Sequence, residues 1–171
     1  MFIIENTTNR YLNYNQVIKS HFGERIQKIS INAGFTCPNR DGSKGIGGCT
    51  YCNNQTFSPE YCTPTKSITQ QIDEGVQFFR KYESQMYLAY FQSYTNTYDA
   101  LDKLTAIYEE ALAHPKVAGI VVGTRPDCVN DELLDYFAAL SKRCYVMIEY
   151  GIESTEDSTL EFINRGHDYA C

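Results

Sequence analysis

Residues 35–54 constrain this chain more than any other stretch: FTCPNRDGSKGIGGCTYCNN. Three of the seven cysteines fall there, spaced Cys-x11-Cys-x2-Cys as Cys37, Cys49 and Cys52. Four glycines, Gly42, Gly45, Gly47 and Gly48, separate the first cysteine from the second. Glycine reaches positive φ and admits close approach by a bulky group, so the loop can return Cys37 to the Cys-x2-Cys pair. Thiolates gathered this way suit zinc or an iron–sulfur cluster. The cysteines alone leave three readings open. With Cys62 as a fourth thiolate they make a structural zinc site, and the chain is a binding module. With the same fourth ligand they make an electron-transfer cluster. Without it, three thiolates hold a [4Fe-4S] cluster with one iron open to a small molecule.

The length of 171 residues suggests one domain or a piece of one, and 43% hydrophobic residues are enough for a core. Seven cysteines with no signal peptide to be read point to a reducing, cytoplasmic location and to metal ligation over a disulfide framework. No apolar run is long enough to span a bilayer, so no membrane is expected as a partner. Net charge is −6, unevenly spread. Residues 1–65 carry six Lys/Arg against four acids, and residues 66–171 carry nine against seventeen. That balance argues against broad, sequence-independent nucleic-acid binding and leaves a local phosphate contact possible near the N-terminus.

Strand and helix patterns alternate. Residues 1–24 read as an N-terminal extension whose helix runs from Tyr11 to Phe22, with Tyr14, Val17, Ile18 and Phe22 on one face. Residues 25–171 read as one α/β unit. Its predicted strands are Ile26–Ala33, Met86–Phe91, Val117–Gly123 and Cys144–Tyr150. Between them come a helix capped by Ser67, with Gln70 completing a capping box, and a helix over Asp99–Ala113. A third follows Asn130, with Leu133, Leu134, Phe137 and Leu140 inward, and a fourth covers Thr155–Ile163. Strands joined by helical crossovers make a parallel sheet.

Each unusual polar cluster follows the C-terminal end of a predicted strand. They are the cysteine loop, Gln92–Thr97, Thr124–Cys128 and Glu149–Ser154. Ligands bind at that edge of parallel α/β sheets. Glu149 inside an apolar strand needs a partner.

Together the motifs resemble the radical S-adenosylmethionine (SAM) superfamily. They are the three cysteines with Tyr51 before the third, Gly123-Thr124-Arg125-Pro126-Asp127, Glu149-Tyr150-Gly151-Ile152-Glu153-Ser154 and Asn164-Arg165-Gly166-His167. The last three resemble its elongator catalytic-subunit branch. The whole string, with GFTCPNRDG and FQSYTNTY, is most similar to an uncharacterised bacterial family of that branch with Cys-x11-Cys-x2-Cys spacing. The resemblance spans about residues 10–171. It implies a partial parallel (β/α) barrel, cut short after its fourth β/α unit. It also implies a [4Fe-4S] cluster on Cys37, Cys49 and Cys52, and reductive cleavage of SAM to a 5′-deoxyadenosyl radical. The radical would act on an unknown substrate, with a tRNA base such as a wobble uridine as the leading expectation. SAM contacts are expected from Tyr51, Gln92, Ser93, Tyr94, Thr95, Arg125, Glu149, Glu153 and Arg165, the last pairing with the SAM carboxylate. A reductase or flavodoxin-type donor would supply the electron, and a missing C-terminal half or a partner chain would complete the barrel. The sequence departs from the pattern in three places. The first cysteine spacing is x11 where the superfamily commonly has x3, Gly123 stands where the branch has Glu, and the segment after the second strand lacks glycine.

Overall fold

The computed structural model describes residues 10–171, apart from the side chains of Gln55 and Phe57; residues 1–9 of the expected extension lie outside the described residues. The chain is α/β, with a four-stranded, wholly parallel sheet ordered β1-β2-β3-β4. The strands are β1 (Gln27–Ile31), β2 (Tyr87–Phe91), β3 (Val117–Thr124) and β4 (Tyr145–Tyr150). The helices are α1 (Tyr14–Phe22), α2 (Ile68–Phe79), α3 (Leu101–Leu112), α4 (Asp131–Leu140) and α5 (Asp157–Phe162).

Parallel strands carry apolar residues on both faces because both faces are covered. One face presents Ile29, Ile31, Ala89, Phe91, Ile120 and Val122 to α2, α3 and α4, which cover it with Ile72, Leu104, Tyr108, Leu133, Phe137 and Leu140. The other face presents Leu88 and Val121 to Ile18 and Phe22 of α1. Above that small apolar patch the second face turns polar, and there the candidate site begins. The β4 side chains are half-buried or exposed, and its outer edge pairs with no strand among the described residues.

Three local expectations are corrected. Helix α1 starts at Tyr14, not Tyr11, because the Asn13 side chain caps it by accepting from Asn15 N at 2.9 Å. Ser67 does cap α2, accepting from Gln70 N at 3.1 Å, but the Gln70 side chain donates to Glu74 at 3.2 Å, so the box is half formed. Leu134 is exposed, and the inward face of α4 is Leu133, Phe137 and Leu140.

Gly119 fits where β3 presses on β4. A Cβ there would lie 2.2 Å from the Tyr145 carbonyl oxygen, and a backbone atom cannot swing aside. Gly119→Ala is expected to destabilise the fold by about 1–3 kcal/mol as an overpacked substitution. Urea denaturation checks it: the midpoint should fall with the slope unchanged.

Candidate functional site

The four loops at the C-terminal strand ends are tied into a ring. Thr95 N donates to Thr36 O at 3.2 Å, joining the loop after β2 to the segment after β1. Asn96 Nδ2 donates to Gly123 O at 2.8 Å, and the Thr97 and Thr124 hydroxyls share a short hydrogen bond, which joins the loops after β2 and β3. Gly151 N donates to Thr124 O at 2.9 Å. The ring closes from α5 back to the cysteines, with Thr50 N donating to Ile163 O at 3.0 Å and Asn164 Nδ2 to Gly48 O at 2.9 Å.

Inside the ring is a cavity of about 530 Å³. Cys37, Cys49 and Cys52 line it together with Tyr51, Gln92, Tyr94, Thr95, Arg125, Glu149, Glu153 and Arg165. The structure therefore brings together eleven of the twelve residues singled out in the sequence. Ser93 is the exception. It is buried, with its hydroxyl 3.4 Å from that of Ser58, and does not line the cavity. Among the described residues, no group of three or more His, Cys, Asp or Glu side chains is drawn close enough to hold a single metal ion. Cys62 is also outside the cavity. It packs in the core with Ile29, Phe35 and Tyr61, where burial pushes its thiol up to about 11.

Three of the four loop glycines take positive φ as expected, Gly42 at 93°, Gly47 at 85° and Gly48 at 83°, and two of the four also make close approaches. A Cβ on Gly45 would sit 2.3 Å from Asn39 Oδ1, and one on Gly48 would sit 2.8 Å from Arg40 Nε. They make room for two side chains of the loop itself. Arg40 Nη2 donates to Cys52 O at 3.1 Å, and the neighbouring Cys52 side chain raises the guanidinium above its ordinary value. Asn39 is wholly buried and donates to Asn164 O.

Two departures noted in the sequence have local explanations. The segment Gln92–Thr95 lacks glycine, yet Tyr94 takes φ 64°, the left-handed conformation a glycine would take there. Glu153 does the same at φ 68°. Non-glycine residues held in this way cluster at functional sites. Gly123 lines the cavity, and a Cβ there would press on Phe91 O at 3.3 Å.

Charged side chains gather in and around the cavity. Arg125 is buried and gives Nε and Nη2 to Asp127, each at 2.8 Å. Lys44 of the cysteine loop binds the same carboxylate. Burial opposes the Asp127 charge, but hydrogen bonds from Arg125 and Lys44 outweigh it and hold the carboxyl well below the usual range. Arg125 Nη1 and Arg165 Nε are buried with no hydrogen-bond partner. Glu149 finds the partner its position demands: Lys28 Nζ lies 2.5 Å away, with its ammonium over the rings of Tyr90 at 4.3 Å and Tyr14 at 4.9 Å. Sequence reasoning missed Asn39, Arg40, Lys28 and Tyr90. The Asn-Arg directly after Cys37-Pro38 was the available signal for the first two.

Chemically, the wall combines thiols, guanidiniums and unpaired N–H groups around a solvent-connected space. Such a wall can hold an anionic, sulfur-ligated group together with a ligand bearing a carboxylate.

No family model matches the chain, and no solved structure matches it. Curated relatives do. The chain is 38% identical over 171 residues to "Uncharacterized protein YtqA" of Bacillus subtilis (strain 168), covering 99% of this chain and 53% of that protein. It is 40% identical over 151 residues to "Protein YhcC" of Escherichia coli (strain K12), covering 88% and 48%. With "Uncharacterized protein MJ0486" of Methanocaldococcus jannaschii the identity is 34% over 161 residues, covering 92% and 49%. The chain thus spans about half the length of the curated relatives it matches. No helix among the described residues is long and apolar enough to cross a membrane.

Proposed function

We propose that this chain carries the cofactor-binding part of a radical SAM enzyme. The four-stranded sheet is part of a (β/α) barrel with the [4Fe-4S] site at its mouth. The observation that carries the reading is the shared cavity. Residues from four separate loops, singled out in the sequence by their place after the strands and by the resemblance, line one space at the C-terminal strand ends.

The donor set fits the two cofactors. Cys37, Cys49 and Cys52 are the thiols on the cavity wall and would hold the cluster, with Arg40, Arg125 and Arg165 offsetting its negative charge. The unpaired N–H of Arg125 and that of Arg165 call for an acceptor, as the SAM carboxylate would supply, because a buried donor left without one costs about 1–3 kcal/mol. Glu153 and Gln92 offer oxygens to the SAM amino group. When bound there, the cluster would supply the electron for reductive cleavage of SAM, the chemistry that would prepare hydrogen abstraction from a substrate. The protein's own part is to bind and orient the two cofactors and to limit water. Tyr51 and Tyr94, half exposed on the cavity wall, do the last of these.

The substrate proposed is a tRNA base, on the strength of the family resemblance. The electron donor is a reductase or a flavodoxin-type protein. The unpaired edge of β4 is a surface where a further strand, from the rest of the protein or a partner chain, extends the sheet, since exposed parallel edges are normally paired or covered.

The test is anaerobic reconstitution with iron and sulfide, then reduction and EPR with and without SAM. The expected result is a cluster signal that changes when SAM is added. A signal indifferent to SAM would indicate electron transfer instead, and bound zinc with no cluster would end the enzyme reading.

A further inference from the structure

Two N–H groups converge on one of the three cysteines. Arg165 Nη1 lies 3.5 Å from Cys49 Sγ, and Asn39 Nδ2 lies 3.6 Å from the same sulfur. The Arg165 fork is anchored by its other arm, with Nη2 donating to Gly151 O at 2.6 Å. Asn39 is held by its bond to Asn164 O. A Cβ on Gly166 would sit 2.7 Å from Asn39 Oδ1, and one on Gly45 would sit 2.3 Å from it, so glycine on both sides leaves the amide its place. Arg165 and Asn39 are thus rigid and buried before any ligand arrives. Cys52 has a longer contact of the same kind, from Asn54 Nδ2 at 3.7 Å.

Hydrogen bonds to the sulfurs are a principal control on the potential of an iron–sulfur cluster. A donor on a thiolate withdraws electron density and stabilises the more negative, reduced state. A guanidinium adds its charge to that effect. We infer that Asn39 and Arg165 are positioning residues that raise the reduction potential of the cluster through Cys49, and that holding this thiolate is a standing duty of Arg165. The inference rests on the radical SAM reading above. It concerns the one-electron couple [4Fe-4S]2+/1+, in which an external reductant gives one electron and no bond is made or broken.

The test is a potentiometric EPR titration of the reconstituted protein without SAM, with dithionite as reductant, comparing the wild type with Asn39→Ala and Arg165→Gln. At the wild-type midpoint the oxidised and reduced clusters are equal. Each variant is expected to hold about tenfold more oxidised than reduced cluster there, a fall of 59 mV for a one-electron couple. A variant that assembles its cluster with an unmoved midpoint would overturn the inference and leave the radical SAM reading standing. A wild type that forms no cluster would overturn both. If the variants lose the cluster altogether, resonance Raman of the wild type in H2O and D2O decides. Iron–sulfur bands that shift on exchange support the N–H contacts, and bands that stay put overturn them.

Discussion

Cys37→Ser, Cys49→Ser and Cys52→Ser are each expected to abolish assembly of the proposed cluster, while Cys62→Ser keeps it. The first three sulfurs face the cavity, and Cys62 lies in the core. The outcome separates three chemistries. A zinc module or an electron-transfer cluster needs a fourth ligand, and Cys62 was the candidate nearest in sequence. Bound iron and sulfide per chain, with the visible absorbance, measure the effect. The three cavity variants should lose nearly all of their iron. Cys62→Ser should lose stability instead, about 1–3 kcal/mol for a hydroxyl buried among Ile29, Phe35 and Tyr61. Iron lost from Cys62→Ser with its fold intact would reopen the four-thiolate readings.

Asp127→Asn is expected to destabilise the protein by about 3–5 kcal/mol, because it strands a buried guanidinium. Asp127 and Arg125 are almost wholly buried, with side-chain exposures of 2% and 3%, and Lys44 shares the carboxylate. The effect depends on pH with a definite sign. The folded state holds the Asp127 carboxyl below the ordinary aspartate value of about 3.9, so its contribution is full above that pH. It is lost as pH falls towards the depressed folded value. Urea midpoints of wild type and variant should therefore be far apart at neutral pH and draw together below about pH 4. A gap that stayed constant on acidification would show that Asp127 acts through packing and not through charge. The Lys44–Asp127 contact ties the cysteine loop to the segment after β3, so the variant should also retain iron less well in a reconstituted protein.

Much of this site was legible because its residues sit at strand ends. Apolar runs such as Val117–Gly123 marked the strands, and the polar residues that follow each run fell into one cavity once the strands lay parallel. The contacts between distant loops were not legible. Asn39 meets Asn164 across 125 residues, and no local pattern encodes that meeting. The positive φ of Gly42, Gly47 and Gly48 was legible, but not that Gly45 and Gly48 make room for the side chains of Asn39 and Arg40. Ser93 was grouped with its neighbours by position, but its hydroxyl turns to Ser58. Glu149 was recognised as needing a partner, but Lys28 could be named only after β1 and β4 had been placed at opposite edges of one sheet.

That last pair has a mechanical meaning. Strands stand about 4.8 Å apart, so three steps separate the outermost two by roughly 14 Å along a flat sheet. Lys28 of β1 reaches over the Tyr90 ring of β2 to meet Glu149 of β4 at 2.5 Å, so the long side chains span the gap by their own reach and link the two edge strands across one face of the sheet.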